Sequence, residues 1–311
     1  MPNWGDVLKE LKQFRLEKTS EANSTIDIIR RRYLKRLYNH TGRNVIAYYS
    51  GFLSKPGIEL SDINDEDKNG FMMAIHGLDR SKGLDLFLHT PGGNIAATQS
   101  IVDYLQAMFG HNIRAVVPQI AMSAGTMIAC CCKDILLCSH SNLGPIDPHL
   151  RGLPAYGVIN EFRRAHREIK TDPTKLAVWQ PIIGKYHPTF LSQCENAIAR
   201  SNEFVQKQLE KVMFEGQKNA KNNAIKIVKS LSDYKRNKGH DRHINPDECI
   251  DMGLKVTKIE TDQDLQDLVL TVHHCYMHTL MNTPAFKIIE NHKGSAFVKT
   301  QIEQLIPVPA K

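Results

Sequence analysis

Two short segments of the chain carry residue types that acyl transfer requires. The first, Pro91-Gly92-Gly93, follows the apolar run Leu84 to Leu88, and the second, Ala121 to Gly125, contains Ser123. Because glycine has no Cβ, both glycines can adopt positive φ and turn their amides toward a ligand. Such amides beside a serine hydroxyl can stabilise the oxyanion that forms when the hydroxyl attacks a carbonyl carbon. The two segments therefore predict a serine hydrolase with Ser123 as its nucleophile.

Each segment is predicted to join a strand to a helix. The buried strand Leu84 to Thr90 ends at Pro91, and apolar residues then recur at helical spacing from Asn94 to Phe109. The β-branched run Ile113 to Val117 predicts a parallel strand, and Thr126 to Cys131 a helix. The predicted oxyanion donors are the amides of Gly92, Gly93 and Ala124. Taken alone, each segment also has a structural interpretation, since serine is a favoured N-cap and glycines often connect strands to helices.

Several motifs in this order resemble the Clp/crotonase superfamily, and most closely the serine dehydrogenase proteinase family, which is similar to signal peptide peptidase A. They are the Pro-Gly-Gly turn, Met122-Ser-Ala-Gly125, Leu143 to Pro148, Tyr48 to Gly51, His76 to Arg80 and Trp179 to Pro181, and the resemblance covers about Tyr33 to Lys299. It implies an α/β fold of stacked, Clp/crotonase-like βαβ units. It also implies hydrolysis of protein or peptide substrates by Ser123 and assembly into a ring or another homo-oligomer. No cofactor is expected, because no G-x-G-x-x-G motif opens a helix after a strand.

The general base is left open between histidine and lysine. Clp peptidases carry a histidine in the segment that here reads Ser141 to Pro148, and the equivalent position is Ile146, which argues against a Clp-like triad. His149, three residues further on, is a candidate for a displaced base. Asp241 resembles the triad aspartate of the Clp enzymes and is expected to support the site through an ion pair.

Lysine is the base in signal peptide peptidase A and its relatives, some tens of residues after the serine. Lys170, Lys175 and Lys185 lie in that interval. A lysine acts as a base when poor solvation lowers its pKa, so apolar surroundings decide among the three. The surroundings of Lys185, Trp179 to Tyr186, are the most apolar, so Lys185 is preferred and Lys175 comes next.

The composition is that of an ordinary globular protein. The 311 residues are 41% hydrophobic and 23% charged, without a run of eighteen apolar residues or a secretory leader after Met1. The seven cysteines, including Cys130 to Cys132, fit a reducing compartment, so a cytoplasmic protein is expected. No metal site is expected either, since paired C-x-x-C motifs are missing and the grouping His273, His274, Cys275 and His278 lacks the H-E-x-x-H pattern.

The net charge of +7 comes partly from one predicted helix, which carries Arg30 to Arg32, Lys35 and Arg36. Its opposite face is apolar, with Ile26, Ile29, Tyr33, Leu34 and Leu37. A basic amphipathic helix can bind a membrane surface or nucleic acid. We instead expect the apolar face to contact a second subunit, with the arginines in water, and we expect no nucleic acid partner.

Three regions follow from these elements. Residues 1–40 are predicted to be a helical amino-terminal arm, 41–260 the catalytic domain and 261–311 a helical carboxy-terminal extension. Within the second region, Arg151 to Gly239 is largely helical and should supply the base, and a closing helix begins at Pro246 and ends at Gly253. Two other functions stay open. The A-x-S-x-G motif also fits an α/β-hydrolase esterase, although the Pro-Gly-Gly turn then has no role, and a non-catalytic oligomeric scaffold could share the fold.

Overall fold

A seven-stranded mixed sheet forms the centre of the chain. The computed structural model describes residues 6–7, 9–10, 12–13 and 25–301, with the backbone alone at Lys235. In the sheet order β11-β10-β1-β2-β3-β5-β9, the five strands from β1 to β9 run parallel, β10 runs antiparallel to β1, and β11 runs antiparallel to β10. The strands are β1 Asn44–Ser50, β2 Leu84–His89, β3 Ile113–Val117, β4 Ile120–Ala121, β5 Asp134–Leu137, β6 Asn142–Leu143, β7 His149–Leu150, β8 Leu153–Pro154, β9 Val256–Lys258, β10 Ala285–Asn291 and β11 Ala296–Thr300.

Helices cover both faces of this sheet. In β1, Ile46 and Tyr48 face one apolar core and Val45 and Tyr49 face the other, because successive side chains of a strand point to opposite sides. The first core is closed by α2, α3, α4 and α8, and the second by α1 and α11, which confirms the predicted α/β class. The helices are α1 Thr25–Thr41, α2 Asp67–Ile75, α3 Ile95–Phe109, α4 Ala124–Cys130, α5 Ala155–Thr171, α6 Leu176–Ile183, α7 Phe190–Gln208, α8 Ala220–Ser232, α9 Tyr234–Asn237, α10 Pro246–Met252 and α11 Gln263–Asn282.

The elements that flank the two motifs agree with the sequence predictions. Strands β2 and β3 and helix α3 lie where the apolar patterns place them. Helix α10 begins at Pro246 with a capping box between Asn245 and Glu248, and it ends at Gly253, whose φ of 104° is left-handed. Local sequence signals therefore determine these boundaries.

The prediction for the basic helix α1 was wrong in two respects. Its apolar face is buried against α11 of the same chain, so no second subunit is needed to cover it. Arg30 is only 1% exposed, and its Nε lies 2.6 Å from Oε2 of Glu290, while Arg31 binds the other oxygen of that carboxylate at 2.8 Å. A guanidinium can be buried when a carboxylate pairs with it.

The carboxy-terminal extension was expected to be helical, but it also contains two strands. After α11 the chain returns as the hairpin β10–β11, and β10 lies fully buried beside β1. The side chain of Lys287 is buried in an ion pair with Asp67, at 2.9 Å, and it donates to the carbonyl oxygen of Asp62 at 2.6 Å. Because β10 carries this lysine and Glu290, its sequence lacks the apolar run by which buried strands are recognised.

The folded chain should lose stability as the pH falls below about 6.5, because His89 cannot be protonated in its place. It is fully buried among the rings of Tyr49, Phe52 and His273, neither ring nitrogen has a hydrogen-bond partner, and burial lowers its pKa to about 3. Between about pH 3 and pH 6.5, His89 is therefore protonated in the unfolded chain and neutral in the folded chain. This histidine alone should lower the free energy of unfolding by about 1.4 kcal/mol per pH unit.

Denaturant unfolding at pH 7, 6 and 5 measures this slope. In His89→Phe, the proton uptake on unfolding should be smaller by about one proton. Equal slopes in the two proteins would contradict the assignment, whatever their absolute stabilities.

All seven cysteines are unpaired and buried, and burial raises the pKa of the Cys130 and Cys132 thiols. They therefore act as small apolar side chains of the core. Across the part of the chain that the structure describes, none of the helices combines the length and the apolar character required to cross a bilayer.

Candidate active site

The Pro-Gly-Gly turn connects β2 to α3 in a conformation that only glycine adopts readily. Gly92 has φ 109° and Gly93 has φ 154°. Asn94 then caps α3, because its side chain accepts hydrogen bonds from the amides of Ala96 and Ala97. The turn thus directs main-chain groups to the carboxyl end of the parallel strands, where ligands bind in open α/β sheets.

Both glycines also pack too closely to neighbouring atoms for a side chain to fit. A Cβ at Gly93 would lie 2.3 Å from the nitrogen and the oxygen of Ile63, and one at Gly92 would lie 2.7 Å from Cβ of Ser123. Ile63 holds the turn from the other side, since it donates to the Gly92 carbonyl at 2.7 Å and accepts from the Asn94 amide at 2.8 Å. The turn is therefore fixed between the Ile63 backbone and the serine.

Ser123 lies in the turn between β4 and α4, and its backbone is strained. Its φ of 50° and ψ of −112° are unusual for a residue with a Cβ, and its side chain makes no cap hydrogen bond to α4. The N-cap interpretation of this serine is therefore wrong. The adjacent Met122 amide donates to the Thr90 carbonyl at 3.0 Å, which fixes the serine turn beside the glycine turn. The geometry is that of a strained turn that exposes a nucleophile.

The amides around Ser123 differ in their availability. The Gly92 amide donates to Oγ1 of Thr90 at 3.2 Å. Within the described ranges, the amides of Gly93 and Ala124 have no acceptor in the chain, and the latter is the first residue of a helix, whose amide has no intrahelical partner. The two amides available to a ligand are therefore those of Gly93 and Ala124.

A cavity of about 670 Å³ opens beside these groups. Its lining includes Ser123, both glycines of the turn and two histidines, His149 and His240. Asp62, Asn94, Met127, Asn196 and Arg200 line it as well. The cavity therefore brings the serine and the histidines, which are far apart in the sequence, to one surface.

Asp147 orients His240 in this cavity. The amides and carbonyls of Leu143 and Ile244 bond reciprocally in an isolated antiparallel bridge, which holds the segments of Asp147 and His240 side by side. Nδ1 of His240 lies 2.8 Å from Oδ1 of Asp147, which is 2% exposed. A neutral His240 that donates from Nδ1 leaves its Nε2 free to accept a proton.

His149 is the second imidazole of the cavity. It belongs to the short hairpin β7–β8, its Nε2 lies 3.8 Å from Oδ2 of Asp147, and its ring centroid is 4.1 Å from that of His240. Burial lowers the pKa of His149, the neighbouring His240 lowers it further, and Asp147 opposes both effects. The neutral ring is thus the favoured form of His149.

The structure does not bring the predicted lysines to this cavity. Lys170, Lys175 and Lys185 are exposed, on or after the helices α5 and α6, and none of them lines the cavity with Ser123. Lys175 borders a separate depression beside Glu168 and Asp172. Asp241 is exposed too and does not line the cavity.

A family model described as a ClpP-like SDH-type serine proteinase matches residues 18–295. The chain belongs to this family. The recognition made from the sequence motifs is thereby confirmed.

Two uncharacterized proteins of Methanocaldococcus jannaschii resemble this SDH-type chain. One is 30% identical over 159 residues, which are 50% of this chain and 53% of the relative. The other is 28% identical over 154 residues, or 48% of this chain and 51% of the relative. The matched segments thus span about half the length of each relative.

Sequence reasoning about this family member missed two residues of the site, Asp147 and His240. Asp147 lies in the motif Leu143 to Pro148, and His240 directly precedes Asp241, the candidate named from the sequence. Their pairing depends on the bridge between Leu143 and Ile244, which joins segments about one hundred residues apart. A local pattern carries no signal for such a pairing. Of the ligand-type side chains in the described ranges, Asp147, His149 and His240 lie close enough together to share an ion.

Gly93→Ala in this SDH-type chain should lower kcat by about 10²- to 10³-fold, the usual effect of losing one oxyanion donor. The added Cβ would collide with the Ile63 backbone, so the turn and its amide must move. Gly110→Ala is the matched control, since Gly110 also has a positive φ, 60°, but has open space around it and lies at the far end of α3. Steady-state hydrolysis measures both. Similar rates for the two variants would show that a Gly93 amide in this position is not required.

Proposed function

We propose that this chain is a serine peptidase in which Ser123 is the nucleophile, His240 the general base and Asp147 the residue that orients the base. One observation carries the proposal: a serine held in a strained turn shares a cavity with an imidazole that is hydrogen-bonded to a buried carboxylate. A serine, an imidazole and a carboxylate are the three groups that a serine–histidine–aspartate triad combines. The amides of Gly93 and Ala124 would receive the negative charge of the carbonyl oxygen.

In the proposed reaction, Oγ of Ser123 attacks the substrate carbonyl carbon while its proton passes to Nε2 of His240. The C–N bond then breaks, and the same proton leaves with the amine. A water molecule next gives its proton to His240 and attacks the acyl-enzyme, which releases the acid and restores the serine. No metal ion or cofactor is needed to balance these steps.

Histidine is preferred to lysine because of where the side chains lie. Lys185 is exposed and does not line the cavity with Ser123, whereas a lysine that serves as a base lies buried beside its nucleophile. His240 is half-buried, lines the cavity and is held by Asp147. His149 is the other imidazole within the cavity, and we assign it a supporting role beside His240, because its contact with Asp147 is too long for a hydrogen bond.

A fluorophosphonate probe tests the nucleophile directly, because it phosphonylates activated serines. We expect one label per chain, mapped to Ser123 by peptide mass spectrometry, and no label in Ser123→Ala. Ser139→Ala, which removes an exposed serine, should be labelled like the wild type. A folded wild-type chain that takes up no label would overturn the proposal and favour the non-catalytic scaffold.

Peptides and proteins are the proposed substrates, as the family implies, and a panel of peptide and ester substrates separates a peptidase from an esterase.

The proposal includes a cytoplasmic homo-oligomer. Leu176 and Val178 on α6, which are 51% and 56% exposed, and Leu153, which is 43% exposed, offer apolar surface that a second copy could cover. Light scattering on the full chain measures the assembly.

A further inference from the structure

We propose that Asp147, His149 and His240 form a binding site for Zn²⁺, and that the bound ion inhibits the peptidase. The second half of this inference rests on the proposed function, whereas the first half rests on the geometry of the three side chains alone. One ligand atom from each residue lies within 4.8 Å of the other two. Two of the three residues, His149 and His240, line the cavity of Ser123, so an ion held by the cluster would lie beside the proposed catalytic groups.

The separations around Asp147 suit an ion that bridges the three groups. Oδ1 lies 2.8 Å from Nδ1 of His240, and Oδ2 lies 3.8 Å from Nε2 of His149. Two atoms that bind one tetrahedral zinc ion at about 2.0–2.1 Å are roughly 3.4 Å apart. Because the three ligand atoms already lie within 4.8 Å of one another, small shifts and ring rotations would bring them to one ion.

Asp147 also has an unused acceptor in this place. Its Oδ2 is buried and has no hydrogen-bond partner, and because the residue is only 2% exposed, bulk water does not solvate this oxygen either. A buried carboxylate oxygen without a partner is costly, since it has lost its hydration and gained nothing in exchange. Coordination of a cation would satisfy this oxygen.

The ligand types select the metal. Two imidazoles and one carboxylate form a common zinc site, whereas Mg²⁺ and Ca²⁺ prefer oxygen ligands alone. Three protein ligands leave a fourth position open, and here two of the three ligands, His149 and His240, line the cavity. Zn²⁺ is therefore the favoured ion.

A bound ion would prevent His240 from acting as a base, whichever of its two ring nitrogens binds the ion. If zinc binds Nδ1, the single proton of the neutral ring must move to Nε2, which then cannot accept a proton from Ser123. If zinc binds Nε2, the acceptor itself is occupied. In both cases hydrolysis stops without any change in the fold, and removal of the ion restores the base.

The binding half of the inference is tested on the full chain with a chromophoric zinc chelator as competitor, and with Co²⁺ as a spectroscopic probe of coordination. We expect one ion per chain, tetrahedral Co²⁺ absorption, and no binding of Mg²⁺. His149→Ala and Asp147→Ala should each weaken zinc binding at least tenfold, a typical cost of losing a ligand. His166→Ala is the matched control, because it removes an exposed histidine from α5.

Each outcome decides one half. Unchanged zinc binding in a folded His149→Ala protein, or no binding in the wild type, would overturn the site. Hydrolysis that zinc suppresses and EDTA restores would support the inhibitory role. Hydrolysis that requires zinc and disappears with EDTA would overturn inhibition and the triad while the site itself stood. Zinc binding by a chain that hydrolyses nothing would leave the site intact and defeat the proposed function.

Discussion

Ser123→Ala should lower kcat/KM for peptide hydrolysis by at least about 10⁴-fold, because no other group can form the acyl-enzyme. The residual rate would come from the oxyanion donors and from substrate binding, which the substitution leaves in place. Cleavage of a fluorogenic peptide by the purified full chain, with the enzyme concentration raised for the variant, measures the ratio.

Two features of Ser123 make this variant easy to interpret. Alanine keeps the Cβ, so the strained backbone at φ 50° and its packing against Gly92 stay as they are, and the thermal unfolding temperature should not change by much. Ser123→Gly, by contrast, removes the strain and should raise the stability by about 1–3 kcal/mol while being equally inactive. Activity that survives in Ser123→Ala with the fold intact would mean that the nucleophile lies elsewhere.

His240→Ala should be the second most damaging substitution, with kcat lowered by at least about 10³-fold. Without Nε2, the Ser123 hydroxyl has no base to take its proton, and the leaving amine has no acid. Lys185→Ala should stay within about twofold of the wild type, since its exposed side chain lies away from the cavity. Hydrolysis rates of the two variants, measured together from pH 6 to 9, give the comparison.

His149→Ala makes the choice between the two imidazoles. If His240 is the base, this variant loses less activity than His240→Ala and keeps the shape of the pH profile. A larger loss in His149→Ala would assign the base to His149, the histidine that the sequence offered as a candidate. A large loss in Lys185→Ala would restore the lysine dyad.

The sequence predicted well those features that depend on neighbouring residues. The glycine turn, the serine turn and the helix from Pro246 to Gly253 depend on backbone preferences of single residues and on short periodic patterns. The family could also be recognised, because its motifs keep their order along the chain. The α/β class followed from that order.

Features that depend on contacts between distant segments could not be predicted. Lysine was preferred as the base because its neighbours in the sequence are apolar, yet solvation depends on neighbours in space, and Lys185 lies at the surface. The pairing of His240 with Asp147 arises from a bridge between segments about one hundred residues apart. The burial of Arg30 and Lys287 could not be predicted from their charge either, because each is paired with a buried carboxylate that is distant in the sequence.

The carboxy-terminal strand β10 supports the glycine turn beside Ser123 through the segment of Asp62 and Ile63. Lys287 on β10 donates to the carbonyl of Asp62, and the backbone of the next residue, Ile63, holds the glycine turn that packs against Ser123. A truncation after α11 would remove Lys287 together with the hairpin, and the backbone of Asp62 and Ile63 would then lose this support. The folding of the last strands is therefore coupled to the conformation of the glycine turn, because both depend on the backbone of Asp62 and Ile63.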